Sequence, residues 1–374
     1  MRILLLIRQL SVGGAERQVC LLATALRQRG HEIKVAVFYG GGALEAELAG
    51  AGIPLIDLGK RGRWDNAGFV WRLLRTLRCE RPDIVYSFLT VANLLNSLLG
   101  PCLPGTRRVI GLRASNMDLS RYDGLSRLTS HLETRLAGQA DLVIANSERG
   151  RQAALAAGFP AARLRVVRNG IDTRRFLPDR RRGAAFRAAW GIAPEQWLVG
   201  LIGRLDPMKG HPIFLQAAAR LRTTDPGLRF VCVGGGPAAL DASLRRQATD
   251  LGLDDRLIWA GPQTDMPAVY NALDMAVSAS LYGEGMSNTL AEAMACGIPC
   301  VTTDVGDAAW LVEDCGIVVP PGDAAVLAGG IADLTRRAQQ QGDTLGRAVR
   351  RHIETRLGEQ ALAEGTLAAF ASLG

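Results

Sequence analysis

The chain has 374 residues, 48% of them hydrophobic and 21% charged, which is too long for one ordinary core and excludes a disordered or fibrous protein. Its net charge of +8 is uneven: residues 1–170 hold 24 Lys and Arg against 13 Asp and Glu, and the remainder holds 20 against 23. The +11 half points to an anionic partner, whether nucleic acid, an acidic membrane surface or a phosphorylated substrate; a solvated basic face is the plain alternative.

Taken in chain order, Ile3–Ile7 reads as a buried strand, cut at Arg8 too early for a signal peptide. Ala15–Arg29 is a helical pattern ended by Gly30, and Ile33–Phe38 is the next strand. Strands follow at Ile84–Phe88, Arg108–Leu112, Leu142–Ala145 and Leu164–Val167. Continuous apolar runs of this length between helices imply parallel strands covered on both faces, hence a doubly wound α/β domain. The apolar stretch from Phe88 to Leu103 contains Asn93, Asn96, Ser97 and Pro101, too polar and short to cross a bilayer, so a cytoplasmic protein is expected.

At Asn169-Gly170 a turn signal breaks the pattern, and a polar, Arg-rich stretch from Asp172 to Arg187 reads as a linker. A second α/β series starts at Leu198–Gly203 and continues with Phe230–Val233, Leu257–Trp259, Met275–Ser278, Cys300–Thr302 and Ile317–Val319. Residues 323–374 are helical in pattern. The expected organisation is a Rossmann-like domain over 1–168, a linker over 169–190, a second Rossmann-like domain over 191–355, and a C-terminal helix over 356–374 that either closes the second domain or packs back on the first. Ligands of open α/β sheets bind beyond the carboxyl ends of the strands, so a cleft between two facing domains is the expected site. The seven Cys have mostly apolar neighbours and no second close pair to complete a metal site, which reads as buried free thiols.

Three loops after strands carry chemistry. Gln9 to Glu16 includes Gly13 and Gly14, which let a backbone approach an anion at the start of a helix; a tight strand–helix turn is the equal alternative. Gly203-Arg204-Leu205-Asp206-Pro207-Met208-Lys209-Gly210 places two cations at a turn, suited to the charge that builds on a departing diphosphate. Leu281 to Ala293 sets Glu284 between Gly283 and Gly285, with Ser287 as a helix cap and Glu292 about one turn in. Its N–H groups at Met286, Ser287, Asn288 and Thr289 suit phosphate, and its carboxylates suit sugar hydroxyls.

The spacing Glu284-x7-Glu292 resembles the hallmark of retaining glycosyltransferases of family 4, which have the GT-B fold: two Rossmann-like domains facing across a cleft. Gly13-Gly14-Ala15-Glu16-Arg17 is similar to that family's N-terminal glycine loop, and Asn169-Gly170-Ile171-Asp172-x-x-x-Phe176 to its interdomain signature. Gly203-Arg204-x4-Lys209-Gly210 and Glu292-Ala293-Met294-Ala295-Cys296-Gly297-x-Pro299 resemble its diphosphate element and the continuation after the second Glu. The resemblance implies that Arg204 and Lys209 hold the donor diphosphate, Glu292 the ribose hydroxyls and Glu284 the transferred sugar. It implies no cofactor and no metal, and the sequence has no D-x-D. Many members place a His after a middle strand; the corresponding stretch, 111–118, has none, and Arg113 or Asn116 is expected to take its place.

The expected activity is transfer of a hexose-type sugar from a UDP- or GDP-sugar to a cell-surface glycan, with a lipid-linked oligosaccharide, exopolysaccharide or lipopolysaccharide as acceptor classes. Arg72, Arg75 and Arg78, spaced along a helical pattern with Trp71 and Leu73 between them, extend this to a peripheral contact with an anionic leaflet, or else form an ordinary basic outer face. Two other readings stay open: another enzyme on the same fold, such as an epimerase or a phosphorylase, and a non-enzymatic nucleotide-sugar or nucleic-acid binder. Nucleic acid is disfavoured by 5% aromatic content without a stacking pattern.

Overall fold

The computed structural model describes residues 1–62, 64–113, 115 and 124–373. These form two compact units, one of Met1–Gly170 with Glu359–Gly374 and one of Ile171–Gly358.

The first unit holds seven parallel strands: β1 (Arg2–Ile7), β2 (Glu32–Val37), β3 (Leu55–Asp57), β4 (Ile84–Phe88), β5 (Arg107–Leu112), β6 (Leu142–Ala145) and β7 (Leu164–Val166). Their order is β3-β2-β1-β4-β5-β6-β7, so the chain changes direction of growth between β1 and β4. β1 and β4 are buried on both faces, which is why they read as unbroken apolar runs. Helices α1 (Gly14–Gln28), α2 (Glu45–Gly50), α3 (Asn66–Glu80), α4 (Thr90–Leu99), α5 (Gly124–Leu136) and α6 (Glu148–Ala156) connect them. Asn93 and Asn96 of α4 are buried and bond to Gly111 O, Val85 O and Val109 O, tying that helix to the sheet. No helix among the described residues is long and apolar enough to cross a membrane.

The second unit begins with α7 (Arg180–Ala189), then β8 (Trp197–Ile202), α8 (His211–Thr224), β9 (Leu228–Val233), α9 (Ala238–Asp250) and β10 (Leu257–Gly261). It continues with α10 (Met266–Ala272), β11 (Met275–Ser278), α11 (Asn288–Ala295), β12 (Cys300–Thr303), α12 (Ala308–Val312), β13 (Ile317–Val319), α13 (Ala324–Gln341) and α14 (Asp343–Leu357). The six strands are parallel in the order β10-β9-β8-β11-β12-β13, with the switch point between β8 and β11.

Two segments, the Arg-rich stretch and β3, differ from the sequence expectation. The Arg-rich stretch after Asp172 is part of the second unit instead of a free linker. Arg180 and Arg187 both pair with Asp274, Arg182 pairs with Asp265, and a Cβ on Gly183 would stand 2.3 Å from the Asn271 backbone, so α7 packs directly on α10. Arg180, Arg182 and Arg187, solvated in composition, are taken up by these carboxylates. The last helix, α15 (Glu359–Ala371), belongs to the first unit: Leu362, Ala363 and Phe370 are buried in that unit's core, and the Phe370 ring stands 5.9 Å from Tyr86. β3, which the sequence pattern does not flag, is a three-residue strand at the sheet edge.

All seven cysteines are free. Cys20, Cys232, Cys296 and Cys300 are buried, and burial pushes the Cys20 and Cys296 thiols up to about 12, so they are inert apolar fillers. Cys79 and Cys102, against expectation, are exposed.

Candidate functional site

In the second unit the loops that follow β8 and β11 flank the switch point, where open α/β sheets bind ligands. The first of them leaves β8 at Gly203, and Asp206 caps a single tight turn by accepting from the Met208 N–H at 3.0 Å. Gly210 follows with φ +67°, and a Cβ there would stand 1.9 Å from Ala279 O. Only glycine meets both conditions, and the close approach lays this loop on the start of the β11 loop. Leu281 N–H donates to Met208 O at 2.7 Å and fastens the two.

That fastening brings together residues 75 positions apart. The Lys209 ammonium donates to Glu284 Oε1, and both side chains are largely shielded from solvent. Ser280 Oγ donates to the same oxygen at 2.9 Å, and Thr303 Oγ1 holds Ser280 O at 2.6 Å. Arg204 is placed differently: its side chain is 74% exposed and, among the described residues, pairs with Asp206 at 3.4 Å. An exposed pair of that kind is weak, so the guanidinium is available to an anion.

Beyond Glu284 the chain turns through Gly285 and Met286 to α11, which Ser287 caps by accepting from the Leu290 N–H at 3.5 Å. Gly306, at φ +64°, approaches Gly285 O so closely that a Cβ would stand 2.3 Å from it, and the Asp307 N–H donates to Gly285 O at 2.9 Å. The N–H groups of the first turn of α11, at Asn288 and Thr289, precede its hydrogen-bonded ladder and suit an anion. Glu292 sits one turn into α11 and is 5% exposed; Tyr270 of α10 donates to its Oε2 at 2.8 Å.

Three features here were not picked out from sequence. Tyr270 is one. A second is the run Gly234-Gly235-Gly236 after β9: Gly234 has φ +142°, a Cβ on it would stand 2.0 Å from Gly203 O, and one on Gly236 would stand 2.4 Å from Leu205 O. Three glycines after a strand are the signal that could have found it. The third is His211, 1% exposed at the start of α8, whose two ring nitrogens lack a hydrogen-bond partner among the described residues. Burial, helped by Lys209, lowers its pKa to about 4, so it is neutral.

The remaining predicted residues lie in the first unit. Gly13 precedes α1 with extended backbone and no side-chain cap, and Gly14 starts the helix. Gln18 of α1 holds both the N–H and the carbonyl of Gly170, at 2.9 and 2.8 Å, which fixes the Asn169-Gly170 turn. Arg113 follows β5, donates to Tyr86 Oη at 2.9 Å and to Asn169 Oδ1 at 3.1 Å, and stacks 4.7 Å over Phe88. Asn116 lies outside the described residues. Among the described residues no group of three or more His, Cys, Asp or Glu comes together as a metal site.

Residues 12–175 match the family model described as Glycosyltransferase Family 4, and residues 196–337 that of Glycosyl transferases group 1. The D-inositol 3-phosphate glycosyltransferases of Mycobacterium tuberculosis and Mycobacterium bovis are 35% identical over 233 residues, 60% of this chain. The chain spans about half, 47%, of the length of these curated relatives. Among solved structures, Anabaena HepE in complex with UDP-glucose is 25% identical with a TM-score of 0.86, over the whole of both chains. The same protein in complex with UDP is 26% identical with a TM-score of 0.83. WaaG, a glycosyltransferase involved in lipopolysaccharide biosynthesis, shares the fold at 17% identity and a TM-score of 0.74, covering 99% of each chain.

Proposed function

The chain belongs to glycosyltransferase family 4, with the GT-B architecture of two parallel α/β sheets, and on that footing we propose that it transfers a hexose-type sugar from a UDP- or GDP-sugar to a cell-surface glycan, with retention of configuration. The observation that carries the reading is the Lys209–Glu284 pair at the switch point of the second sheet. It sets a cation for a diphosphate beside a carboxylate for sugar hydroxyls, on a preorganised and largely desolvated frame. UDP is the favoured nucleotide, because HepE, similar along its whole length, is described in complex with UDP and with UDP-glucose.

In this reading the bond between the anomeric carbon and the diphosphate oxygen breaks while Lys209 and Arg204 offset the charge gathering on the leaving group. The N–H groups at the start of α11, with the turn from Gly285 through Thr289, hold diphosphate oxygens. Glu284 accepts from hydroxyls of the transferred sugar, and Glu292, steadied by Tyr270, accepts from the ribose. Gly13 and Gly14 let the backbone at the start of α1 approach a substrate anion, and Arg113, with Asn116, serves where many relatives use histidine. Cationic side chains take the role a divalent metal plays elsewhere, so no metal is required. The protein acts in the cytoplasm and touches an anionic leaflet through the first unit, where Trp64, Trp71, Arg75 and Arg78 are exposed in and beside α3.

The test is release of nucleoside diphosphate from UDP- and GDP-sugars. Release only when acceptor is supplied supports transfer; interconversion of the sugar with no release would mean an epimerase. Lys209→Ala and Arg204→Ala should each lower turnover about 10²-fold, and unchanged rates in both would overturn the diphosphate assignment. Activity should persist in EDTA; its loss with recovery in Mg²⁺ would overturn the metal-free reading.

A further inference from the structure

The second unit contains a cavity of about 400 Å³ at the end of its sheet opposite the donor loops. Trp197 opens β8, Asp274 immediately precedes β11 and Pro299 immediately precedes β12, and all three line it. The donor loops leave the other ends of β8 and β11, so the six residues of β8 separate the two places by roughly 17 Å. The volume falls within the range of small-ligand sites. Cys296, Gly297 and Pro299, the part of the motif after Glu292 that the donor chemistry leaves unused, lie on the cavity wall.

Fixed walls and surplus positive charge set this cavity apart from a packing fault. Arg350 donates to Phe176 O at 2.9 Å, to Ala295 O at 2.5 Å and to Thr173 O at 3.1 Å, which ties α14 to the end of α11. Asp274 is shared by Arg180 and Arg187, at 2.9 and 2.8 Å, so one carboxylate stands between two guanidiniums. Arg347 adds a cation at the exposed rim, where it donates to Thr344 Oγ1 at 3.1 Å and enters no ion pair among the described residues. Asp343, the other lining carboxylate, starts α14, where the helix dipole offsets its charge. Trp197, Ile298, Pro299 and Leu345 make an apolar wall. Cations at the rim of an aromatic and aliphatic wall are the surroundings that suit a small anion with a flat apolar body. The cavity also touches both helices that fix Glu292. The Cys296 N–H donates to Glu292 O at 3.1 Å, and Asn271, on the wall, follows Tyr270, which donates to Glu292 Oε2.

We propose that this cavity binds a small aromatic anion while the donor site is occupied, with Arg180 and Arg347 on its charge and Trp197 against its ring, and that its occupant alters the grip on the nucleotide through α10 and α11. The coupling rests on the donor reading of Glu292; the site itself does not.

The experiment uses the full chain with saturating UDP and three probes, benzoate, phenyl phosphate and uncharged benzyl alcohol, followed by saturation-transfer NMR at matched ionic strength. At least one of the two anions should bind beside UDP, and benzyl alcohol about tenfold more weakly. Arg347→Glu should weaken anion binding about tenfold. Ala338→Phe, which fills the cavity from α13, should abolish it. By calorimetry, the anion should change the dissociation constant for UDP about fivefold or more in the native chain and leave it unchanged in Ala338→Phe. No anion binding beside UDP, binding that both variants leave intact, or equal binding of benzyl alcohol would overturn the site. Anion binding with an unmoved UDP constant would overturn the coupling. Failure of the native chain to bind UDP would instead strike the transfer reading, and the anion's response to the two variants would still decide the site. Arg347 is exposed, so Arg347→Glu keeps the test decisive if Ala338→Phe folds poorly.

Discussion

At the scale of single residues the side chains proposed to hold the donor are fixed to unequal degrees. Lys209 is fixed by Glu284, and Glu292 by Tyr270, whereas Arg204 is exposed and pairs weakly with Asp206. A carboxylate with one oxygen committed to a buried Tyr hydroxyl has its other oxygen aimed by that bond. Tyr270→Phe removes the hydroxyl and little volume, so the core around Tyr270 should persist. The change should raise the dissociation constant for UDP about tenfold or more, the scale of one hydrogen bond to a charged group. KM for the donor should rise with kcat little altered, because the ribose contact is the same in ground and transition states. The deficit should vanish with 2′,3′-dideoxy-UDP, which lacks the hydroxyls Glu292 is proposed to hold; an equal deficit with both nucleotides would sink this role for Tyr270. Arg204 and Lys209 stand out in sequence by charge and loop position, and Glu284 and Glu292 through the family resemblance. Tyr270 and His211 do not, since a partner 22 residues away, or the lack of one, depends on packing that no local pattern encodes.

Among the elements, the strands buried along nearly their whole length were legible almost to the residue, as at Ile84–Phe88, Leu142–Ala145 and Met275–Ser278. Parallel sheets demand continuous apolar runs, and that demand leaves a plain signature. β3 escaped because a half-exposed three-residue edge strand places no such demand. α7 reads as linker in sequence because arginine content reports solvation only until acidic partners are placed, and Asp265 and Asp274 lie more than eighty residues on. The turn at Gly210 offers a test at this scale. Gly261, in the same unit, also has positive φ, +63°, but nothing lies within 4 Å of its would-be Cβ, whereas at Gly210 the Ala279 carbonyl is 1.9 Å away. Gly261→Ala should therefore cost about 1 kcal/mol of backbone strain. Gly210→Ala should cost at least about 2 kcal/mol, since the β11 loop must also shift. Urea unfolding measures both, and turnover should fall only for Gly210→Ala; equal costs would mean the close approach is not what selects glycine there.

For the whole molecule, the two units carry separate cores and different buried titrating groups, and acid should tell them apart. In the second unit His211 has its pKa lowered to about 4 by burial, against 6.5 when exposed. Above 6.5 the ring is neutral folded and unfolded and contributes no pH dependence. Between 6.5 and about 4 the unfolded chain takes up the proton first, so stability falls as pH falls, by on the order of 3 kcal/mol in all, and levels off below. In the first unit Glu133 shifts the other way, its pKa raised by burial. There the folded state takes up the proton first, so stability rises as pH falls through the folded pKa toward the ordinary value. The carboxylates of Asp65, Asp83 and Asp141, whose pKa values are lowered, keep their full contribution until pH drops to the ordinary 3.8 and lose it below. His31, also lowered, sits on an exposed ring where solvent screens the effect. Going from pH 6.5 to 4.5 should thus loosen the second unit and spare or tighten the first. Hydrogen exchange, corrected for intrinsic rate, reads this directly: protection of peptides from β8 and β9 should drop while that of β4 and β5 holds. His211→Met should flatten the response of the second unit and leave the first untouched. If both sheets lose protection together, or if His211→Met leaves the slope of β8 and β9 unchanged, the buried histidine is not what sets the acid limit of this fold.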